Sequence, residues 1–394
     1  MPATFSDLSV GAALDGRATV GTSAVMMIAA GPSLYMITQA TSDPSGTLTG
    51  PARVVPVATA DHTVGTALPG TMTGAVTDGA GADDGATLVI GTAAQLFQVD
   101  ASTGTATALA DGSFGRVAIL SITDDHNARK LVAIAIKNRA SSTTSPCPTT
   151  AELWWAPLGG GAAHMIATGG FSDIATDRGA GYYVDACKGE LGKITETAAM
   201  PIRQIPGTGP GPSGGPGKPT ALAVSNGQAY VGVEALAAGT TPATTWLLVM
   251  PADAPSGAVR TLWAESAQQV LDVRSVPEVR RQLNASSAVF NHLEIGAGGD
   301  YVALTTKAHF HGNEIVSAGF PDTTIDTEEL RVFAAATGGA VQRYRSWCDG
   351  VIKRDPLQSQ FLDWECAVAT GQTAPADNLF EHHIGSMTFL FGKR

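Results

Sequence analysis

Aromatic side chains are scarce in this chain, at 6% of 394 residues, and charged residues reach only 15%. So little charge excludes a disordered acidic tail, while 44% hydrophobic residues are enough to build a core. Lys and Arg number 24 against 35 Asp and Glu, a net charge of -11. That balance argues against nucleic acid, whose phosphates need clustered cations. The one basic cluster, 343–354, contains Asp349 and reads as solvated surface. No apolar run reaches the roughly 18 residues of a membrane span. The start, MPATFSDLSV, lacks the basic region and apolar core of a signal peptide. Two expectations follow: a cytosolic chain, or one whose export signal was removed before this sequence begins. A G-x-S-x-G elbow, a P-loop and a dinucleotide fingerprint are all missing. GTGPGPSGGPG, at 207–217, is rich in glycine, but its prolines remove the N–H groups that cradle phosphate.

What is present is repetition. Six segments share an apolar pattern: SLYMIT (Ser33), QLFQVD (Gln95), ELWWAP (Glu152), ELGKIT (Glu190), WLLVMP (Trp246) and ELRVFA (Glu329). Most are followed by a Gly-containing turn and another strand, as in STGTATAL and ATGGAVQRYR. Each is preceded by a further pair of strands. GAVTDG and TLVIGT precede the second copy, GAALDG and AVMMIA the first, at nearly the same offset. Asn226-Gly227, between TALAVS and AYVGVE, is a strong hairpin signal.

Four antiparallel strands recurring along the whole chain resemble the blades of a β-propeller, whose sheets bury their faces against one another in a ring. The resemblance implies an all-β, single-domain propeller of four-stranded antiparallel blades. Its units fall at roughly 8–60, 70–112, 113–169, 170–206, 217–264, 286–347 and 348–394. Seven blades are expected, with six and a C-terminal closing strand as the alternative. A helical insert is expected at about 264–286, where Ser275 and Glu278 form a capping box.

In propellers, the connections between second and third strands share one face with those between blades. Sorted this way, the long segments at Lys137, Pro206, Ala235, Ala264 and Ala308 all lie on that face, and only TQATSDPSGTLTG (Thr38) lies opposite. Long loops on a rigid ring commonly carry recognition. The four cysteines include no C-x-x-C pair, so a structural zinc site is not expected. Their even number at wide spacing fits two disulfides and an oxidising compartment, with four buried thiols as the alternative. On the implied polarity, Cys147 pairs with Cys187 and Cys348 with Cys366.

The sharpest chemical signal is KAHFHGNE, 307–314. His309 and His311 alternate onto one face of a strand, a spacing that suits zinc, copper or iron, and Glu314 offers a third ligand. If GAGG (296–299) is the hairpin turn, His292 pairs near Leu304 and lies too far away to join them. DGAGADDG, 78–85, loosely resembles a calcium loop without EF-hand spacing. Trp154, Trp155, Trp246 and Trp263 are candidates for stacking on sugar rings, or else for packing within blades. The expected function is a non-enzymatic, monomeric binding or scaffold module acting outside the cytoplasm on a protein or peptide through its loop-rich face, with no cofactor. The alternatives are a metal-dependent lyase or hydrolase using the H-x-H pair, and a carbohydrate-binding propeller.

Overall fold

A strand buried on both faces reads as an unbroken apolar run, and TLVIGT, LVAIAI and AYVGVE are such runs. The computed structural model describes residues 22–41, 48–60, 63–123, 128–139, 150–209, 217–235, 244–266, 288–298, 301–312, 323–338, 340–353 and 361–370. Among them are six antiparallel sheets and no helix. The first sheet holds β1 (Thr22–Ala30), β2 (Ser33–Thr41) and β3 (Leu48–Val57). Residues 64–72 add an irregular fourth edge through the bridges Val57↔Val64 and Ala52↔Met72. The second is β4 (Val76–Gly81), β5 (Thr87–Thr92), β6 (Gln95–Asp100) and β7 (Ala106–Asp111). The third is β8 (Phe114–Thr123), β9 (Arg129–Lys137), β10 (Ala151–Pro157) and β11 (His164–Gly169). The fourth is β12 (Phe171–Asp177), β13 (Ala180–Asp185), β14 (Glu190–Ile194) and β15 (Ala199–Gln204). The fifth is β16 (Gly217–Ser225), β17 (Gln228–Ala235), β18 (Thr244–Pro251) and β19 (Arg260–Ser266). The sixth is β20 (Ala288–Gly298), β21 (Tyr301–Gly312), β22 (Thr323–Ala334), β23 (Ala340–Lys353) and β24 (Phe361–Thr370).

The cores lie between sheets. Side chains alternate across a strand, so Leu88 and Ile90 of β5 pack with Ile28, Ile37 and Val54 of the first sheet. Val89, between them, packs with Phe114, Val117 and Ala133 of the third. In the same way Tyr183 faces the third sheet, and Tyr182 and Val184 face the fifth. Trp263 and Leu247 meet Val302, Leu304 and Phe333 of the sixth. The first strands β1, β4, β8, β12, β16 and β20 touch one another in that order. Sheets stacked face to face around their first strands are the blades of a β-propeller. Burial falls outward: β5 and β13 are buried almost throughout, while β7 and β15 are largely open to solvent.

One feature repeats in all six blades. The first strand carries a β-bulge against the second, at Val25, Thr77, Gly115, Ser172, Thr220 and Asn291. This fingerprint corrects the reading of the first unit. SLYMIT is β2, a second strand, and not the counterpart of QLFQVD, which is the third strand β6. AVMMIA belongs to the innermost strand, and GAALDG lies outside the described residues. The segment at Thr38 therefore joins second to third strand, on the same face as the other long connections and not opposite them.

The described part of the expected seventh unit stays on the sixth sheet. β23 runs on through Cys348 to Lys353, and β24 pairs with β23 as a fifth strand. Residues 371–394 and 267–287, the bulk of the expected helical insert, lie outside the described residues.

Blades approach closely where glycine permits. A Cβ on Gly81 of β4 would stand 2.1 Å from the Ala29 carbonyl oxygen of β1. Backbone cannot yield as a flexible side chain does, so Gly81→Ala is expected to cost about 1–3 kcal/mol. Urea unfolding checks this, and an unchanged midpoint would contradict so tight a junction.

Candidate binding face and the axial clamp

The innermost strand of each blade is the edge of its sheet, so part of its backbone has no ladder partner, and buried groups of that kind need other partners. Here the neighbouring blade supplies them, with residues in and after the bulge. The residue after the bulge is Asp78 in β4 and Asp173 in β12. The Val117 N–H of the next blade donates to Asp78 Oδ2 at 2.7 Å. The Leu222 N–H donates to Asp173 Oδ2 at 2.8 Å, and the Ile174 N–H to Asp173 Oδ1 at 2.9 Å. The bulged residues act in parallel: the Thr77 hydroxyl donates to the Phe114 carbonyl, and the Ser172 hydroxyl to the Pro219 carbonyl at 2.7 Å.

The third blade departs from this pattern. Its bulge holds Gly115, with no hydroxyl, and Arg116 stands where the acid would be. Arg116 bridges the two acids, with Nε 3.1 Å from Asp173 Oδ1 and Nη1 3.8 Å from Asp78 Oδ1. Arg139, just past β9, replaces the hydroxyl: its Nε donates to the Ser172 carbonyl at 2.5 Å and Nη2 to the Thr220 carbonyl at 3.1 Å. A Cβ on Gly115 would come within 3.0 Å of the Arg139 Cβ, so the glycine makes room for the arginine. One guanidinium thus ties the third, fourth and fifth blades together.

Burial pushes the Asp78 carboxyl up to about 6, with Arg116 and the Val117 N–H pulling the other way. At the turn end of the blades, Asp253 is held below the ordinary carboxylate range by Lys193 at 2.8 Å and by the Tyr182 hydroxyl. Desolvation, with Asp253 beside it, pushes the Tyr182 hydroxyl well above the usual tyrosine range.

The stems of the long connections are pinned at the same end of the blades as this clamp. Gln204 Nε2 donates to the carbonyls of Lys188, Gly189 and Thr208 just before residues 210–216. Asp185, fully buried, accepts the N–H groups of Gly170, Cys187 and Lys188. Cys187 Sγ lies against Gly170, where a Cβ would stand only 2.2 Å away. Cys187 is disulfide-bonded, and Cys147 lies outside the described residues.

Other sequence candidates distribute as follows. His309 and His311 are in β21, opposite Asp326 and Thr324 of β22, and Glu314 lies outside the described residues. His292 is opposite Lys307, not near Leu304, because the hairpin turns tightly from Gly298 to Tyr301 and not through GAGG. Cys348 and Cys366 are directly opposed in β23 and β24. The calcium reading of 78–85 does not hold. Asp78 belongs to the axial clamp, while Asp84 caps the N–H groups of Ala86 and Thr87 beyond the far end of β4. Trp155 and Trp263 are buried, and Trp154 stands edge-on to Phe114 with its Nε1 on Glu152. Among the described side chains, no group of three or more His, Cys, Asp or Glu residues could hold a metal ion. No described helix is long and apolar enough to cross a membrane. The clamp residues went unnoticed in the sequence, although a signal exists: Thr77-Asp78 and Ser172-Asp173 are hydroxyl–acid pairs at equivalent places.

No family model matches the chain, and no curated protein does. Among solved structures it is similar to the WD40 domain of SCAP from fission yeast, at 8% identity and TM-score 0.33, covering 89% of this chain and 92% of that one. It is also similar to the β-propeller domain of the Trilobed protease from Pyrococcus furiosus, at 7% and 0.31, covering 78% and 94%. A chain of the nidogen/laminin complex is similar at 11% and 0.36, covering 58% and 76%. The propeller fold stands on the strand pairing and the stacked first strands, which these likenesses accompany.

Two outcomes test the clamp. Arg139→Ala strands two carbonyls and is expected to cost about 1–3 kcal/mol. Gly115→Ala, which crowds the same arginine, is expected to cost a similar amount. The double variant should cost less than the sum, because both act on one contact; full additivity in urea titrations would separate them. For Asp78, the folded chain binds its proton more tightly than the unfolded chain, so its contribution is greatest below pH 3.8 and is lost as pH rises through about 6. The stability difference between wild type and Asp78→Asn should therefore change across that window in favour of the variant, and a pH-independent difference would contradict the burial argument.

Proposed function

We propose that this chain is a non-enzymatic binding or scaffold propeller that engages a protein or peptide through the face where its second and fourth strands end. One observation carries this reading. Connections 138–150, 205–216, 267–287 and 313–322 all leave strand ends on that face, whereas the longest between described strands on the opposite face is 252–259. Opposite-face hairpins are tight: Arg178-Gly179 and Asn226-Gly227 turn with positive φ. Insertion concentrated at one end of a clamped frame is the pattern expected where loops recognise and blades support. The low aromatic content and packed tryptophans favour a protein or peptide over stacked sugar rings.

The disulfide at Cys187 supports a place of action outside the cytoplasm. We assign its partner as Cys147. The opposed positions of Cys348 and Cys366 support the second pair, since directly opposed residues in antiparallel strands sit about 4.5–5.5 Å apart, within disulfide range. The metal-dependent lyase or hydrolase remains the second reading, favoured by the alternate histidines of β21.

A photo-crosslinking residue placed singly at the exposed loop-face positions 188 and 206, and at opposite-face positions 102 and 255, tests the main reading in the source cells. Adducts of one defined mass from the loop face alone are expected. Adducts from the opposite face alone, or equally from both, would overturn it.

A further inference from the structure

The chain contains one Asn-Gly pair, Asn226-Gly227. It forms the two-residue turn between β16 and β17, where Ser225 is opposite Gln228. An asparagine followed by glycine is open to attack by its own backbone, because glycine puts no side chain in the way of the nucleophilic nitrogen. In that reaction the Gly227 nitrogen bonds to Asn226 Cγ and the Cγ–Nδ2 bond breaks. The Gly227 proton passes through solvent to the departing nitrogen, which leaves as ammonia. The resulting succinimide takes up water at either carbonyl. It opens to aspartate or to isoaspartate, whose backbone runs through the side-chain carbon.

The folded turn opposes the first step. Both central residues have positive φ, 53° at Asn226 and 72° at Gly227, as the mirror-image type I′ turn requires. In that turn ψ of the first residue is about +30°, which sets the Gly227 nitrogen nearly opposite the Asn226 Cβ across the Cα–C bond. Ring closure needs the two on the same side, so the peptide between 226 and 227 must first swing through most of a half-turn. Three contacts resist that swing. The Gly227 N–H donates to Asp177 Oδ2 at 2.9 Å. The Gly227 carbonyl accepts the Ala252 N–H at 2.9 Å. Arg178 Nη2 donates to Asn226 Oδ1 at 2.8 Å. Asp177 and Ala252 are buried, while Asn226 and Arg178 are exposed. The nucleophile is therefore held by a buried carboxylate of the fourth blade, and the amide it would attack stands at the surface, where water can complete the reaction.

We propose that Asn226 is a latent deamidation site, held unreactive by Asp177 of the fourth blade and released when the junction between the fourth and fifth blades opens. The two products have different consequences. Aspartate keeps the turn, since a short polar side chain tolerates positive φ, and it sets a carboxylate where Arg178 already donates. Isoaspartate adds a backbone atom to a two-residue loop. β16 and β17 are buried almost throughout, so a shifted register would turn apolar side chains to the wrong face. A local opening is thereby converted into a permanent change at one junction. The site lies on the face opposite the long connections and does not depend on the binding reading above: either test can fail while the other stands.

The experiment incubates the full chain at mildly alkaline pH and follows deamidation and isoaspartate at 226 by peptide mapping, with the chain unfolded in urea as reference. The folded wild type should react at least about tenfold more slowly than the unfolded chain, because the open junction is a minor population. Asp177→Ala should raise the folded rate about tenfold, the effect expected for loss of a hydrogen bond to a charged group. Asp177→Asn, which keeps an acceptor without the charge, should fall between. Gly81→Ala, which loosens the junction between the first and second blades, should leave the rate unchanged. Far-UV circular dichroism and melting temperature confirm that each variant is folded. If Asp177→Ala fails this check, Asp177→Asn is read in its place, and the comparison of folded with unfolded wild type stands in either case. A slow wild type with a rise confined to the Asp177 variants supports the site. A wild-type rate equal to that in urea, no rise in the Asp177 variants, or an equal rise in Gly81→Ala overturns it.

Discussion

The open inner edge of each first strand is the constraint on which the ring depends. It leaves backbone groups without ladder partners inside a buried region, where an unmet donor costs about 1–3 kcal/mol. A blade with such an edge is unsatisfied by itself. It becomes satisfied when the preceding blade brings an acid and a hydroxyl to the exposed backbone, as Asp78 and Thr77 do for the third blade and Asp173 and Ser172 for the fifth. Side-chain-to-backbone hydrogen bonds therefore couple neighbouring blades alongside apolar contact. The opposite end repeats the device, since the Gly227 N–H donates to Asp177 Oδ2 and Thr176 reaches the Ile119 carbonyl.

The apolar cores work in the same nearest-neighbour way. Each sheet lends one parity of its strands to the blade before and the other to the blade after. Among the described residues the apolar clusters lie between neighbouring sheets, and stability accumulates junction by junction, as in other repeat architectures. Such a frame tolerates long connections. Lengthening a surface loop adds only slowly to the entropy of closing it, and here the stems at Gln204, Asp185 and Arg139 are fixed before the connections leave the frame. Specificity can then vary in the loops while the junctions stay the same.

The strands of the second to sixth blades were legible because burial on two faces leaves long apolar runs, and because Asn-Gly and Gly-containing turns separate them. The first blade was misaligned because leucine-centred similarity cannot tell a second strand from a third when both are apolar. The mark that does tell them apart is the bulge, and the residues in it, Val25, Thr77, Gly115, Ser172, Thr220 and Asn291, are of no single type: three carry a hydroxyl and three do not. Arg139 was illegible for a different reason. It acts on carbonyls in two other blades, and nothing nearby in sequence reports on them. The turn before β21 was misplaced because four small residues, GAGG, offer several registers, and pairing over the whole hairpin selects among them.

The position after the bulge has a further meaning across the ring. It holds Met26, Asp78, Arg116, Asp173, Ala221 and His292 in the six blades. From the second to the fourth blade, this position carries charges that neutralise one another and hold backbone groups. In the fifth it is alanine, which ends the chain of charge. The sixth blade therefore receives no acid from its predecessor at this place. A repeat fold makes such a change inexpensive: each position has equivalents elsewhere in the ring, and a residue not needed at one junction can take up binding at another.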